Sequence, residues 1–142
     1  MKLLDFNVVL AAHRADHPQF STARPWLDEL VSSAAPYSVI DLVAGSFLRL
    51  TTNLRIFSVP TPLDDAFAYL RALRAQPGHA LLAPGPRHLE ILERLCAAGD
   101  AAGDLIPDAQ LAAIAVEHAC ELVSFDRDFA RFDSLRWTHP GR

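Results

Sequence analysis

Two short apolar runs in this chain each stop on an aspartate: Leu3-Leu4 is followed by Asp5, and Leu122-Val123-Ser124-Phe125 by Asp126. An apolar run without alternation is what a strand buried on both faces requires, and in an open parallel sheet functional groups gather just beyond the carboxyl ends of such strands. Asp5 and Asp126 occupy those ends. Two acids far apart in sequence are thereby directed to one edge of an α/β fold.

The rest of the chain reads as strand and helix in alternation, with helices in tandem more than once, the pattern of a parallel α/β sandwich. Strands are expected over Lys2–Asp5, Tyr37–Ile40, Ala80–Ala83, Glu121–Phe125 and Arg136–Thr138. Val8, Val9, Ala11 and Ala12 suit a first helix, and Phe20, Ala23, Trp26, Leu27 and Leu30 repeat at helical spacing in a second opened by Pro18. Asp41 is placed to cap a third, running through Leu42, Val43, Phe47 and Leu50. Pro60 and Pro62 precede a fourth, Pro84-Gly85-Pro86 a fifth that ends near Gly99, and Gly103-Asp104 a sixth from Leu105 to about His118.

At 142 residues, 51% of them hydrophobic and 21% charged, the sequence suits one domain, 1–142, with a well-filled core. No run approaches the roughly 18 uncharged apolar residues of a membrane span, so a soluble, cytoplasmic protein without membrane contact is expected. Cys96 and Cys120 lack metal-ligand spacing and read as small buried hydrophobes, and no metal site built on histidines is expected. A net charge of −4 argues against a protein that coats nucleic acid, yet all basic residues except Lys2 are arginine, whose planar fork suits phosphate. Arg14, Arg127, Arg131 and Arg136 are the candidate phosphate contacts.

A third acid comes from the sixth helix. Asp108 shares a face with Leu105, Leu111, Ala112 and Ala115, so it points toward the edge of the core, while Asp104 is left as the cap. Asp126 and Asp128, two apart, project to one side if the backbone there is extended. Two carboxylates about 4 Å apart repel by roughly 4 kcal/mol at an effective dielectric near 20. Gathering Asp5, Asp108, Asp126 and Asp128 in one pocket therefore calls for a divalent cation, and an all-oxygen set favours magnesium or manganese. Such an ion lowers the pKa of a bound water for attack on a phosphodiester.

These residues resemble the PIN-domain ribonucleases and, within them, the VapC toxins of bacterial toxin–antitoxin modules. The likeness spans nearly the whole chain. It runs through Leu3-Leu4-Asp5-Phe6-Asn7-Val8, Phe47-Leu48-Arg49-Leu50-Thr51-Thr52-Asn53, Asp108-Ala109-Gln110-Leu111-Ala112-Ala113 and Ser124-Phe125-Asp126-Arg127-Asp128-Phe129. It implies a PIN-like α/β/α sandwich with a central parallel sheet. It also implies a magnesium-dependent endoribonuclease that cuts structured RNA such as transfer or ribosomal RNA, acts as a homodimer and is held inactive by a VapB-type antitoxin. Asp5, Asp108 and Asp126 would be the principal acids and Asp128 an accessory metal ligand. Asn7 would be a supporting neighbour of Asp5, and Ser124 a hydroxyl that orients water or carboxylate.

One departure stands out. Many PIN domains carry a glutamate shortly before the place of Phe47, where this chain has Ala44-Gly45-Ser46. Matching on Phe47-Leu48-Arg49 puts the lost acid nearest Ala44, and Asp41, about 300° round the helix, is a candidate substitute. Two alternatives follow: a weakly active or inactive PIN-fold module that mainly binds antitoxin or RNA, or a phosphatase using Asp5 as a covalent nucleophile.

Overall fold

The computed structural model describes residues 1–141. Four short strands, β1 (Lys2–Leu4), β2 (Tyr37–Ser38), β3 (Glu121–Val123) and β4 (Trp137–Thr138), form one parallel sheet in the order β2-β1-β3-β4. In the central pair Lys2 stands beside Glu121, Leu3 beside Leu122 and Leu4 beside Val123. Leu3, Leu4 and Leu122 are fully buried, as an unalternating run in a doubly covered sheet should be.

Six helices connect and cover the strands: α1 (Phe6–His13), α2 (Phe20–Ser32), α3 (Asp41–Thr51), α4 (Leu63–Arg74), α5 (His88–Gly99) and α6 (Ile106–Glu117). One layer is formed where α1 packs on α2 and α3, and α3 on α4; α5 packs on α6. Two of the helices are apolar on every side. Val8 to Ala12 in α1 and Leu111 to Ala115 in α6 are all buried, because each helix lies between the sheet and further helices. The alanines of α6 permit that close approach.

The expected strand over Ala80–Ala83 is reduced to a single parallel bridge between Tyr37 and His79. Tyr37 N donates to Gly78 O at 3.0 Å and Ala80 N to Tyr37 O at 2.9 Å, and the next donor in the ladder would be Val39 N. His79 Nε2 accepts from Val39 N instead, at 3.0 Å, and the pairing stops there. Burial lowers the pKa of His79 from its ordinary value, which keeps that acceptor available.

Arg14 serves the fold, not a phosphate. An eight-residue helix is about 12 Å long, so α1 carries Arg14 well away from Asp5. Its guanidinium donates to Thr61 Oγ1 (3.1 Å) and Val59 O (2.8 Å), pairs with Asp16 (2.6 Å) and lies 4.0 Å from the centre of the Phe57 ring. This fork straps the segment between α3 and α4, where Leu54 and Val59 are exposed, to the end of α1. Arg14→Ala is expected to cost about 2 kcal/mol and to speed amide exchange over residues 54–61, and Arg14→Lys to restore little, because one ammonium cannot span three partners. Denaturant titration and hydrogen exchange check both.

Candidate active site

Asp5 follows β1 directly, with its backbone N–H bonded to Val123 O at 2.9 Å, so the last ladder bond of the sheet fixes where this carboxylate sits. It caps α1: Oδ1 accepts from Phe6 N at 2.7 Å, while Oδ2 accepts from Ser124 Oγ at 2.6 Å. The residue is 3% exposed. Burial raises its pKa to about 6 against those two donors, and the charges of Asp108 and Asp126 push the same way.

Ser124 is the junction of the site. Its hydroxyl accepts from Asn7 Nδ2 (3.0 Å) and from Asp126 N (3.0 Å) while donating to Asp5. Asn7 Oδ1 in turn accepts from Phe125 N at 3.2 Å, which ties α1 to the loop after β3. Asn7 and Ser124 therefore hold Asp5 and Asp126 in relation to each other. Ser124→Ala leaves Asp5 with one donor and strands Asp126 N–H. A loss of about 2 kcal/mol in stability and a further rise in the Asp5 pKa are expected, read by denaturation and by carbon-13 carboxyl titration.

Asp126 and Asp128 do not lie in an extended segment. Asp126 caps a 3-10 turn over Arg127–Arg131, its Oδ1 accepting from Asp128 N at 2.9 Å. Asp128 is exposed. Asp108 stands in the first turn of α6, which follows a 3-10 turn over Gly103–Leu105 and has no side-chain cap, so the capping expected of Asp104 is not made. Burial first, then the charges of Asp126 and Asp128, raise the Asp108 pKa to about 6, and Arg131 acts against them. Asp5 and Asp108 line one small cleft of about 50 Å³, room for a few water molecules.

Asp41 does not reach that cleft. It sits at the first position of α3, exposed, with Oδ1 2.9 Å from Arg74 Nη2. Ala44 also points elsewhere, into a groove between α3 and α4, and the α3 residues on the acidic cleft are Leu42, Val43 and Ser46. The substitution at Ala44 thus leaves the lining of the cleft untouched. Ser46, unremarked in the sequence, is the polar side chain that α3 supplies there; its i, i+3 relation to Val43 was the available signal.

The arginines separate as well. Arg127 is exposed beside Asp126, and Arg131 donates to Gly99 O (3.2 Å) and Asp128 O (3.3 Å), anchoring the end of α5 close to the acids. Arg136 Nη2 bonds Ala119 O at 2.7 Å, before β3 and so at the opposite end of the sheet, which removes it, like Arg14, from the candidate phosphate contacts.

Among the described residues no three His, Cys, Asp or Glu side chains stand close enough to enclose an ion by themselves, and no helix is long and apolar enough to cross a membrane. The sequence pattern of the PIN domain matches residues 2–135. Ribonucleases VapC25 and VapC31 of Mycobacterium tuberculosis are each 59% identical to this chain over 140 residues, covering 99% of both partners. VapBC2 from Rickettsia felis, solved bound to a DNA fragment from its promoter, superimposes with a TM-score of 0.71 over 98% of each chain at 14% identity. Mycobacterium tuberculosis VapC20, a toxin that cleaves the sarcin–ricin loop, does so with a TM-score of 0.66 over 96% of this chain and 99% of its own, at 19% identity. The α/β/α sandwich is therefore the one expected, and with near-complete coverage at that identity the chain belongs to the PIN-domain family, on its VapC ribonuclease branch.

Proposed function

We propose that this chain is the toxin of a type II toxin–antitoxin pair: an endoribonuclease that needs magnesium or manganese, cuts structured RNA, and is silenced by a VapB-type antitoxin. The observation that carries the reading is that Asp5 and Asp108 share one cleft at the carboxyl end of β1, with Asp126 just past β3 near enough for its charge to act on both, and that burial first and these charges second raise Asp5 and Asp108 to about 6. Carboxylates held together at such a cost fit a divalent cation. Their all-oxygen donor set fits magnesium or manganese, and magnesium keeps part of its water shell when bound.

Asp5, Asp108 and Asp126, with Asp128 as an outer acid, would hold the cation, which would supply an acidified water and charge compensation at phosphorus. The chain's own contribution is orientation. Ser124 and Phe6 N–H fix both oxygens of Asp5, Asn7 locks the loop that carries Asp126, and Arg131 and exposed Arg127 offer cations beside the cleft for the RNA backbone. The groove between α3 and α4, about 740 Å³ with Leu48, Phe67 and Leu70 on its walls and Arg71 and Arg74 on its rim, suits an amphipathic segment of the antitoxin. Self-association into a homodimer and action in the cytoplasm complete the reading.

The test is incubation of the antitoxin-free chain with total RNA in magnesium or manganese against chelator. Discrete metal-dependent fragments, suppressed by the cognate antitoxin, are expected. A folded protein that cuts none of a broad set of structured RNAs overturns the reading and favours a module that only binds.

A further inference from the structure

Beside the acidic cleft lies a second cavity that the chemistry above leaves unused. It measures about 150 Å³; Ile40, Leu42, Leu82 and Ile114 give it apolar walls, and the polar residues that line it are Gln110, His88 and, where α3 begins, Asp41. Leu42 lines this cavity and the acidic cleft alike. The two spaces are neighbours across one side chain.

Two features mark the cavity as more than a packing gap. His88 Nδ1 is buried there without a hydrogen-bond partner among the described residues, a costly state that a ligand group could relieve. The turn that presents His88 is also held in place: Glu117 accepts from Gly85 N at 2.8 Å and from Arg87 N at 2.9 Å. A Cβ on Gly85 would come within 2.5 Å of Glu117 Oε2, so a side chain there would push the carboxylate out of its present position.

We propose that this cavity receives a pyrimidine base of the RNA, next to the phosphate being cut, and that Gln110 and His88 read its hydrogen-bonding edge. An apolar space of about this volume accepts one six-membered aromatic ring, which suits a pyrimidine better than a purine. The Gln110 amide offers a donor and an acceptor together, the complement of a pyrimidine edge, and His88 Nδ1 adds one more. Sequence-selective proteins commonly take single-stranded or extruded bases in this way, by an apolar slot with a few polar groups. The inference rests on the endoribonuclease reading, and its test separates the two.

In the first arm, amide chemical shifts of the full chain are followed while uridine, cytidine, adenosine and guanosine 5′-monophosphates are added. Shifts at Leu82, Ala83 and Gln110 are expected with the pyrimidine nucleotides at low millimolar concentration, and their loss in Ala83→Trp, which fills the cavity. In the second arm, cut sites are mapped on a randomised stem-loop RNA library for the wild type, Gln110→Ala and Ala83→Trp, with folding confirmed by circular dichroism. The wild type should favour a pyrimidine at one position beside the cut. The variants should flatten that preference and lower kcat/KM at favoured sites about tenfold.

Absence of pyrimidine-dependent shifts at those amides, or a base preference that both variants preserve, overturns the subsite. Variants that keep the preference but weaken antitoxin binding assign the cavity to the antitoxin and overturn it too. Pyrimidine-dependent shifts in a protein that cuts no RNA would support the base site while the endoribonuclease reading fails.

Discussion

Replacing Asp108 by alanine should lower kcat/KM for RNA cleavage about 10³-fold while leaving the protein folded. Asp108 is half-buried and lines the same cleft as Asp5, and it feels the charges of Asp126 and Asp128, so on the proposed reading its carboxylate adds to the charge that would attract a cation. Asp5→Ala and Asp126→Ala should fall in the same range. Asp128→Ala should cost only about tenfold, because that side chain is exposed and acts at the rim. Rates at saturating magnesium, with circular dichroism on each variant, decide the matter. A reduction below tenfold for Asp108→Ala would remove it from the machinery.

The second large effect is on stability, and its sign runs against intuition: Asp5→Asn should make the metal-free protein more stable at neutral pH. An Asp pKa of about 6 in the folded chain, against an ordinary 3.8, means that the folded state binds its proton more tightly than the unfolded state does. Stability is therefore greatest below about pH 3.8, falls as pH rises toward 6, and levels off above it. The full cost at pH 7.5 is about 3 kcal/mol by the pKa difference. Asn cannot ionise, yet it must still place an amide against Ser124, so a net gain of about 1–2 kcal/mol is expected at pH 7.5 and almost none at pH 4. Denaturant midpoints of the two proteins across pH 4–8 in chelator measure the difference, from which the titrating groups that do not feel the Asp5 charge cancel. Added magnesium should reverse the order, because a cation binds the ionised carboxylate and stabilises only the wild type.

The apolar runs ending on Asp5 and Asp126, and the helical face that Asp108 shares with Leu111, Ala112 and Ala115, were legible because periodicity reports burial directly. Helix positions followed for the same reason, within a few residues. What periodicity could not report was competition among hydrogen-bonding groups. The third expected strand, Ala80–Ala83, failed because a side chain, His79, took the Val39 N–H that the ladder needed. An extended backbone would set Asp126 and Asp128 on one side, whereas the Asp126 carboxylate accepts Asp128 N–H and caps a 3-10 turn that begins at Arg127.

The fate of the arginines and of α3 shows the same division. Nothing local separates Arg14 and Arg136 from Arg127 and Arg131; the first two are bound to backbone far from the acids only because α1 runs away from Asp5 and because Arg136 precedes β4. Asp41 and Ala44 fell off the cleft because the rotation of α3 against its neighbours turns Leu42, Val43 and Ser46 toward it. Local spacing was enough to place the buried strands and the covered helices, and to single out Asp5, Asp108 and Asp126 as acids at the edge of the core, because periodicity reports burial. Which polar groups stand beside those acids came from the packed fold, because partnership depends on helix rotation and long-range hydrogen bonds that no local pattern encodes.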